Sequence, residues 1–171
     1  MTKLRIELRN GKHMDLILDE KSAPLTVDNF LKYVDDGFYN GLIFHRVIPG
    51  FMIQGGGFKD DEPGIKEKPA TYPPIKGEFT SNGIANPIKH VPGVISMART
   101  YVKDSATSQF FICVAPCEYL DGEYAAFGKL ADKESLDVAI GISDEYTHSW
   151  RGYDDIPDNA VVIKTIKRIE D

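Results

Sequence analysis

The sequence predicts a closed all-β architecture capped by two helices. Three observations carry this expectation: many short strand-like runs separated by turn residues, only two stretches with helical spacing, and no helical pattern between successive strands from residue 93 to 130. An α/β chain would need helices in that interval. With 171 residues the chain has the length of one domain and can bury a real core, so 1–171 is read as a single unit.

The opening "LRIELRNGKHMDLIL" alternates Leu4, Ile6 and Leu8, breaks at Asn10-Gly11 and resumes, a strong hairpin signal. In "APLTVDNFLKYVDDGF", Val27, Phe30, Leu31 and Val34 recur at i, i+3, i+4 and i+7. That spacing predicts an amphipathic helix, with Thr26 placed to cap it and Gly37 to stop it. Strand-like runs follow at 42–48, 51–54, 93–98, 109–114, 125–130 and 161–169. A second helix is expected around 133–141, where Leu136, Ala139 and Ile140 make a narrow stripe. Segments 58–92 and 143–160 show no clear period and read as functional or mobile loops. The acidic stretch 58–71 is either a specificity rim or a tolerated insertion. The glycine triplet 55–57 lacks a phosphate-loop pattern and reads as a tight bend where backbone meets backbone.

The bulk numbers narrow the function. A net charge of −6 argues against a general nucleic-acid binder or a polybasic membrane-surface protein, and no apolar run approaches the length of a bilayer span. The N-terminus enters its alternating pattern directly, with no apolar signal core, so a cytoplasmic protein is expected. The four histidines are scattered with no metal-ligand spacing, and His45 reads as a hydrogen-bonded core histidine. Cys113 and Cys117 form a C-x3-C pair of neither zinc nor redox spacing. Cys113 reads as a small core residue and Cys117 as a free thiol. There is no GxSxG elbow, and no motif near Ser96, Ser105 or Ser108 would activate a nucleophile. No metal or cofactor is expected.

What remains is Arg46, alone in the apolar run "FHRVIPGFMIQGGG". On strict alternation Leu42, Phe44, Arg46 and Ile48 face one side and Ile43, His45 and Val47 the other, so the strand is expected between two packed layers. A guanidinium cannot shed its charge, so it either reaches water at an edge or is held there to meet a ligand. In "SQFFICVA", Gln109 and Phe111 share a face, opposite Phe110 and Ile112. In "FMIQGGG", Phe51 and Ile53 alternate with Met52 and Gln54. The candidate set is one fixed cation, two neutral amides and several aromatic or sulfur side chains. None titrates near neutrality. Such a set can grip an amide and an apolar ring; it is poorly equipped to cleave anything. Phe44, Phe110 and Phe127 read as plain core.

The blocks "FHRVIPGFMIQGGGF", "PGVISMART", "DSATSQFFICVAP" and "EYLDGEYAAFGKL" resemble, in order and spacing, the signature segments of the cyclophilins, the peptidyl-prolyl cis-trans isomerases. The resemblance extends from the first hairpin to "VVIKTIKRIE", and "MART…KDSATSQFFI" is similar to bacterial members in particular. It implies an eight-stranded antiparallel β-barrel closed by two helices, with the active groove outside. By motif, Arg46 resembles the catalytic arginine, and Phe51, Met52, Phe111 and Leu120 the walls of a proline pocket. Gln54 and Gln109 match the glutamines beside the arginine and the peptide backbone. Ala98 and Arg99 match the strand that pairs with bound peptide, Arg99 standing where many eukaryotic members carry asparagine. Tyr119 stands where drug-sensitive eukaryotic members carry tryptophan, which implies at most weak cyclosporin binding, and Tyr124 where they carry histidine. The implied function is cofactor-independent isomerisation of Xaa-Pro bonds in unfolded or flexible clients by a monomer that assists folding. The alternative is a proline-peptide-binding or chaperone-like module with little turnover. A hydrolase on an unrelated β fold has no motif behind it.

Overall fold

The structure is a computed structural model and describes residues 1–170. In chain order the elements are β1 (Lys3–Leu8), β2 (His13–Leu18), α1 (Pro24–Asp35), β3 (Arg46–Ile48), β4 (Met52–Gly55), β5 (Phe58–Asp61), β6 (Gly64–Glu67), β7 (Val94–Met97), β8 (Phe110–Cys113), β9 (Ala126–Leu130), α2 (Lys133–Ser143), β10 (Thr147–Trp150), β11 (Tyr153–Pro157) and β12 (Ile163–Arg168). Eight strands form one antiparallel sheet in the order β12-β1-β2-β9-β7-β8-β4-β3, as expected in number and sense. Closure is less complete than expected. Strands β12 and β3 share no ladder; a single bridge, Ile43 with Val162, spans the seam. Backbone bonds from Gly41 to Ile163 (2.8 Å) and from Phe44 to Val161 (3.1 Å) reinforce it. The stretch that meets the β12 side is residues 41–44, ahead of β3, and it makes only isolated contacts there, while β3 itself pairs with β4 alone.

The alternating apolar residues of the first hairpin, Leu4, Ile6, Leu8, Met14, Leu16 and Leu18, are all buried. Each side chain so buried contributes about 1.5–3 kcal/mol. Helix α1 drives Phe30 into the centre, where its ring lies 5.3 Å from Tyr39, 5.5 Å from Phe110 and 5.1 Å from Phe127. Phe44, Phe110 and Phe127 are core residues, as read from sequence. Thr26 does not cap α1. The helix starts at Pro24, and the buried carboxylate of Glu78, far along the chain, accepts both the Thr26 backbone N–H and its hydroxyl at 2.6 Å. Gly37 does mark the stop: it takes φ +68° and its N–H returns to the Val34 carbonyl. Helix α2 is capped by Asp132, which accepts the Ser135 N–H at 2.8 Å. Ile140 faces outward, and Ile142 fills the space assigned to it.

Two corrections concern the segments read as loops. Within 58–92 and 143–160 lie the hairpins β5–β6 and β10–β11. They share a small apolar cluster of Ile43, Phe58, Ile65 and Ile156, with Trp150 laid so closely over Gly64 that a Cβ there would meet its ring at 2.1 Å. One apolar residue every few positions, amid charge, gave no period to read.

His45 belongs to this region. Its ring packs 4.4 Å from that of Phe58, and its buried Nδ1 has no hydrogen-bond partner among the described residues, contrary to the expected bonded histidine. Burial, with Arg46 beside it, lowers its pKa to about 4. As pH falls, the unfolded chain takes this proton first, near 6.5, so the native state loses stability between about 6.5 and 4. The loss at this one site is at most about 3 kcal/mol. His90, also lowered, acts with the same sign. Urea unfolding at pH 7 and pH 4.5 is expected to show this decline, and His45→Phe, whose ring can rest on Phe58, to remove most of it. An equal decline in the variant would contradict the assignment.

Candidate active site

Register decides which side chains meet. In the paired strands Arg46 lies opposite Gln54, Gln54 opposite Phe111, and Phe111 opposite Ser96, so one row crosses β3, β4, β8 and β7. Because side chains alternate, this row leaves the sheet on its outer face while Val47, Ile53, Phe110 and Ile112 enter the core. Phe44 and Val47 both point inward, so the strict alternation expected across 42–48 slips by one residue. The slip falls where Phe44 and His45 leave the ladder before β3 begins. Arg46 therefore faces the outside, away from Phe44. Phe51, in the turn before β4, likewise joins the outer cluster with Met52 instead of Ile53's inner side.

On that outer face is a cleft of about 200 Å3 lined by Arg46, Phe51, Met52, Gln54, Ala98, Arg99, Phe111, Leu120 and Tyr124. A second cleft of about 270 Å3 adjoins it, sharing Gln54, Ala98 and Arg99 and adding Thr100, Ser105, Thr107 and Gln109. Nine of the sequence-derived candidates thus meet in one place. Gln109 belongs to the adjoining cleft, and Tyr119 stands at the rim, 67% exposed, its ring 6.0 Å from Phe51. Sequence reasoning missed Thr100, Ser105 and Thr107; a hydroxyl-rich loop carries no period to mark it.

The polar groups form a chain. Arg46 Nη1 donates to Gln54 Oε1 at 3.3 Å, and Gln54 Nε2 donates to Gln109 Oε1 at 3.0 Å. Among the described residues no carboxylate pairs with Arg46. Arg99 is committed elsewhere: Nε and Nη2 donate to the Glu123 carbonyl, and its guanidinium lies between the Phe79 and Tyr124 rings at 4.9 and 4.6 Å. Its side chain is wall, not free charge.

The core pins the backbone beneath these groups. Asn29 of α1 donates to the Thr107 carbonyl (2.8 Å), Tyr39 Oη to the Ser108 carbonyl (2.7 Å), and Ser108 Oγ to the Gly56 carbonyl (2.8 Å). The glycine triplet makes this approach possible. A Cβ on Gly56, at φ +89°, would strike the Ser108 carbonyl at 2.9 Å; one on Gly57 would strike the Gln109 side chain at 2.5 Å. The bend is backbone against backbone, as expected, and it also makes room for Gln109.

Behind Phe111 lies an arrangement that no motif announced. His90 Nδ1 is 3.0 Å from Asp121 Oδ1, and its Nε2 is 3.0 Å from Ser96 Oγ. The connectivity is that of a hydrolytic triad, but Ser96 is fully buried and His90 nearly so. A sealed hydroxyl cannot reach a substrate carbon. Cys113 and Cys117 are free, buried thiols, Cys113 a small core residue as expected, packed with Met52, Phe111 and Leu120 in the apolar cluster under the cleft. Burial and then the neighbouring Cys117 push the Cys113 thiol up, which keeps it protonated and inert.

An unpaired cation held by an amide above an apolar slot can stabilise a developing lone pair on a bound ring without breaking a bond. The comparisons agree with that chemistry. Residues 3–168 match the family described as cyclophilin type peptidyl-prolyl cis-trans isomerase/CLD. The chain is 49% identical over 163 residues to peptidyl-prolyl cis-trans isomerase A of Dickeya dadantii, covering 92% of this chain and 80% of that one. It is 44% identical over 165 residues to isomerase B of Escherichia coli, covering 90% and 93%. In structure it is similar to a Cryptosporidium parvum cyclophilin-type isomerase crystallised in the presence of the dipeptide Ala-Pro, with a TM-score of 0.77, 27% identity and 99% of each chain covered. The chain belongs to the cyclophilin-type peptidyl-prolyl cis-trans isomerases.

Proposed function

We propose that Arg46 is the group that accelerates rotation and that Phe51, Met52, Phe111 and Leu120 hold the proline. One observation carries the assignment: a guanidinium with no carboxylate partner among the described residues, tied to Gln54 and lining the apolar cleft. Rotation about an Xaa-Pro bond loses amide resonance, and unaided it takes tens to hundreds of seconds. In the twisted state the proline nitrogen becomes pyramidal and regains a lone pair. A donor aimed at that nitrogen binds the twisted amide better than either planar form, which is the condition for a faster rate. Arg46 suits the task because it always donates and its planar fork can be held. An acceleration of about 10⁵ needs about 7 kcal/mol of differential stabilisation, and a charge-assisted hydrogen bond in a dry slot supplies much of it.

With the ring gripped, the preceding carbonyl is the part that moves. Gln54 keeps Arg46 aimed, and Gln109 and the Ala98-Arg99 backbone hold the substrate main chain. Tyr124 completes the wall. The clients are proline-containing peptides and unfolded or flexible protein segments, by the same chemistry that would bind Ala-Pro. Tyr119, a phenol exposed at the rim, offers less contact than an indole and supports weak cyclosporin binding.

On a cis-enriched Ala-Pro peptide, Arg46→Ala is expected to lower kcat/KM at least tenfold with the circular-dichroism melting curve unchanged. Full activity in the variant would remove Arg46 from the chemistry. Since rotation about the bond transfers no proton, kcat/KM is expected to be flat between pH 6 and 9. A bell-shaped profile would show that a titrating group had been overlooked. Gly57→Ala should displace Gln109 and cut kcat/KM several-fold while Arg46 remains in place. If the alanine enzyme keeps wild-type kinetics, Gln109 is not holding substrate.

A further inference from the structure

We infer that His90, clamped by Asp121 and Ser96, is a positioning residue that fixes the Phe111 ring and ties the two opposite walls of the proline slot together. The inference rests on the reading of Phe111 as a slot wall. The His90 ring lies nearly parallel to that of Phe111, at 15° and 6.1 Å between centroids, and is buried beneath a cleft that Phe111 lines and His90 does not. Tyr124 meets Phe111 edge-on at 5.7 Å. Phe111 lines the cleft on one side, so its orientation depends on the groups packed around it.

Behind it is a ring that cannot turn. Asp121 Oδ1 takes the His90 backbone N–H at 2.6 Å as well as Nδ1 at 3.0 Å. A carboxylate only accepts, so Nδ1 carries the proton and Nε2 accepts the Ser96 hydroxyl. Both ends of the imidazole are thereby fixed, and with them its plane. Burial lowers the His90 pKa against the pull of Asp121, which keeps the ring neutral. Burial raises Asp121, but its bonds from His90 outweigh this and hold the carboxyl below the ordinary range.

The clamp also reaches the other wall. Asp121 directly follows Leu120, and the short 3-10 turn Glu118–Leu120 that sets Leu120 in the slot delivers Asp121 to His90. The Cys117 N–H, at the start of that turn, donates to the His90 carbonyl at 2.8 Å. One residue therefore backs Phe111 with its ring and anchors the Leu120 turn with its main chain. Two buried polar groups and a half-buried carboxylate, spent where apolar packing would serve stability as well, point to a demand for orientation.

The test is steady-state kinetics on a cis-enriched Ala-Pro peptide with His90→Leu, Phe111→Leu and the double variant. His90→Leu is expected to raise KM about tenfold while kcat stays within twofold, because a loosened slot weakens substrate binding without touching the donor at Arg46. The two single effects are expected to be strongly non-additive. Asp121→Asn, whose amide oxygen still accepts both N–H groups, should stay within twofold of wild type. An unchanged KM, a loss confined to kcat, or strictly additive effects would overturn the proposal, as would an Asp121→Asn enzyme as impaired as His90→Leu. If His90→Leu does not fold, Ser96→Ala, which frees one end of the ring, should raise KM about threefold; no change there also overturns it. If Phe111→Leu alone leaves KM unmoved, the reading of Phe111 as a slot wall fails first, and the clamp falls with it.

Discussion

The two-residue alternation of three paired strands is the constraint on which the rest of this molecule depends. In β3, β4 and β8 the same backbone that sends Val47, Ile53, Phe110 and Ile112 into the core sends Arg46, Gln54 and Phe111 outward. A slip of one residue between any two of these strands would bury the guanidinium and expose the core. The free energy that defends the core therefore also defends the site. The aromatic group around Phe30 reinforces this, since Phe110, one of its members, is the immediate neighbour of Phe111.

A second layer of support comes from hydrogen bonds that start in the core and end in the cleft. Helix α1 reaches the Thr107–Gln109 segment through Asn29, and Tyr39 reaches it through the Ser108 carbonyl. These bonds hold the backbone that carries Gln109, so the groups lining the cleft are fixed in place by the core. The sealed Ser96–His90–Asp121 arrangement fits the same pattern. Its connectivity resembles that of a nucleophilic site, yet its serine is fully buried, beyond the reach of any substrate. Accessibility, not connectivity, decides what such a triplet does.

Much of this was legible in the chain. The first hairpin, α1 and the strands around the cleft carry strong periods, and each is found within a few residues of its expected bounds. Arg46 and Gln54 drew notice because they interrupt apolar runs, but that left open an edge arginine reaching water; the likeness to cyclophilin segments marked the rest of the cleft. What could not be read depends on contacts between distant segments. Glu78 binds the N-terminus of α1 from 52 residues away, so Thr26 looked like the cap. The slip between Phe44 and Val47 arises because the chain leaves the ladder to bridge β12 at Ile43. The β5–β6 and β10–β11 hairpins bury only a few side chains each, against one another, and so show no alternation. His90 and Asp121 are 31 residues apart and belong to no common motif.

The chain of side chains running from Arg46 through Gln54 to Gln109 has a sense of direction. Guanidinium has only hydrogens to give, so it turns the oxygen of the first amide toward itself and thereby commits that amide's nitrogen to the second. The second amide answers with its oxygen and keeps its NH2 for a visitor. A fixed positive charge thus reads out, two hydrogen bonds away, as an amide nitrogen that would favour a visiting carbonyl over a visiting N–H. Polarity handed along in this way would let the groove tell which way round a chain has been laid in it.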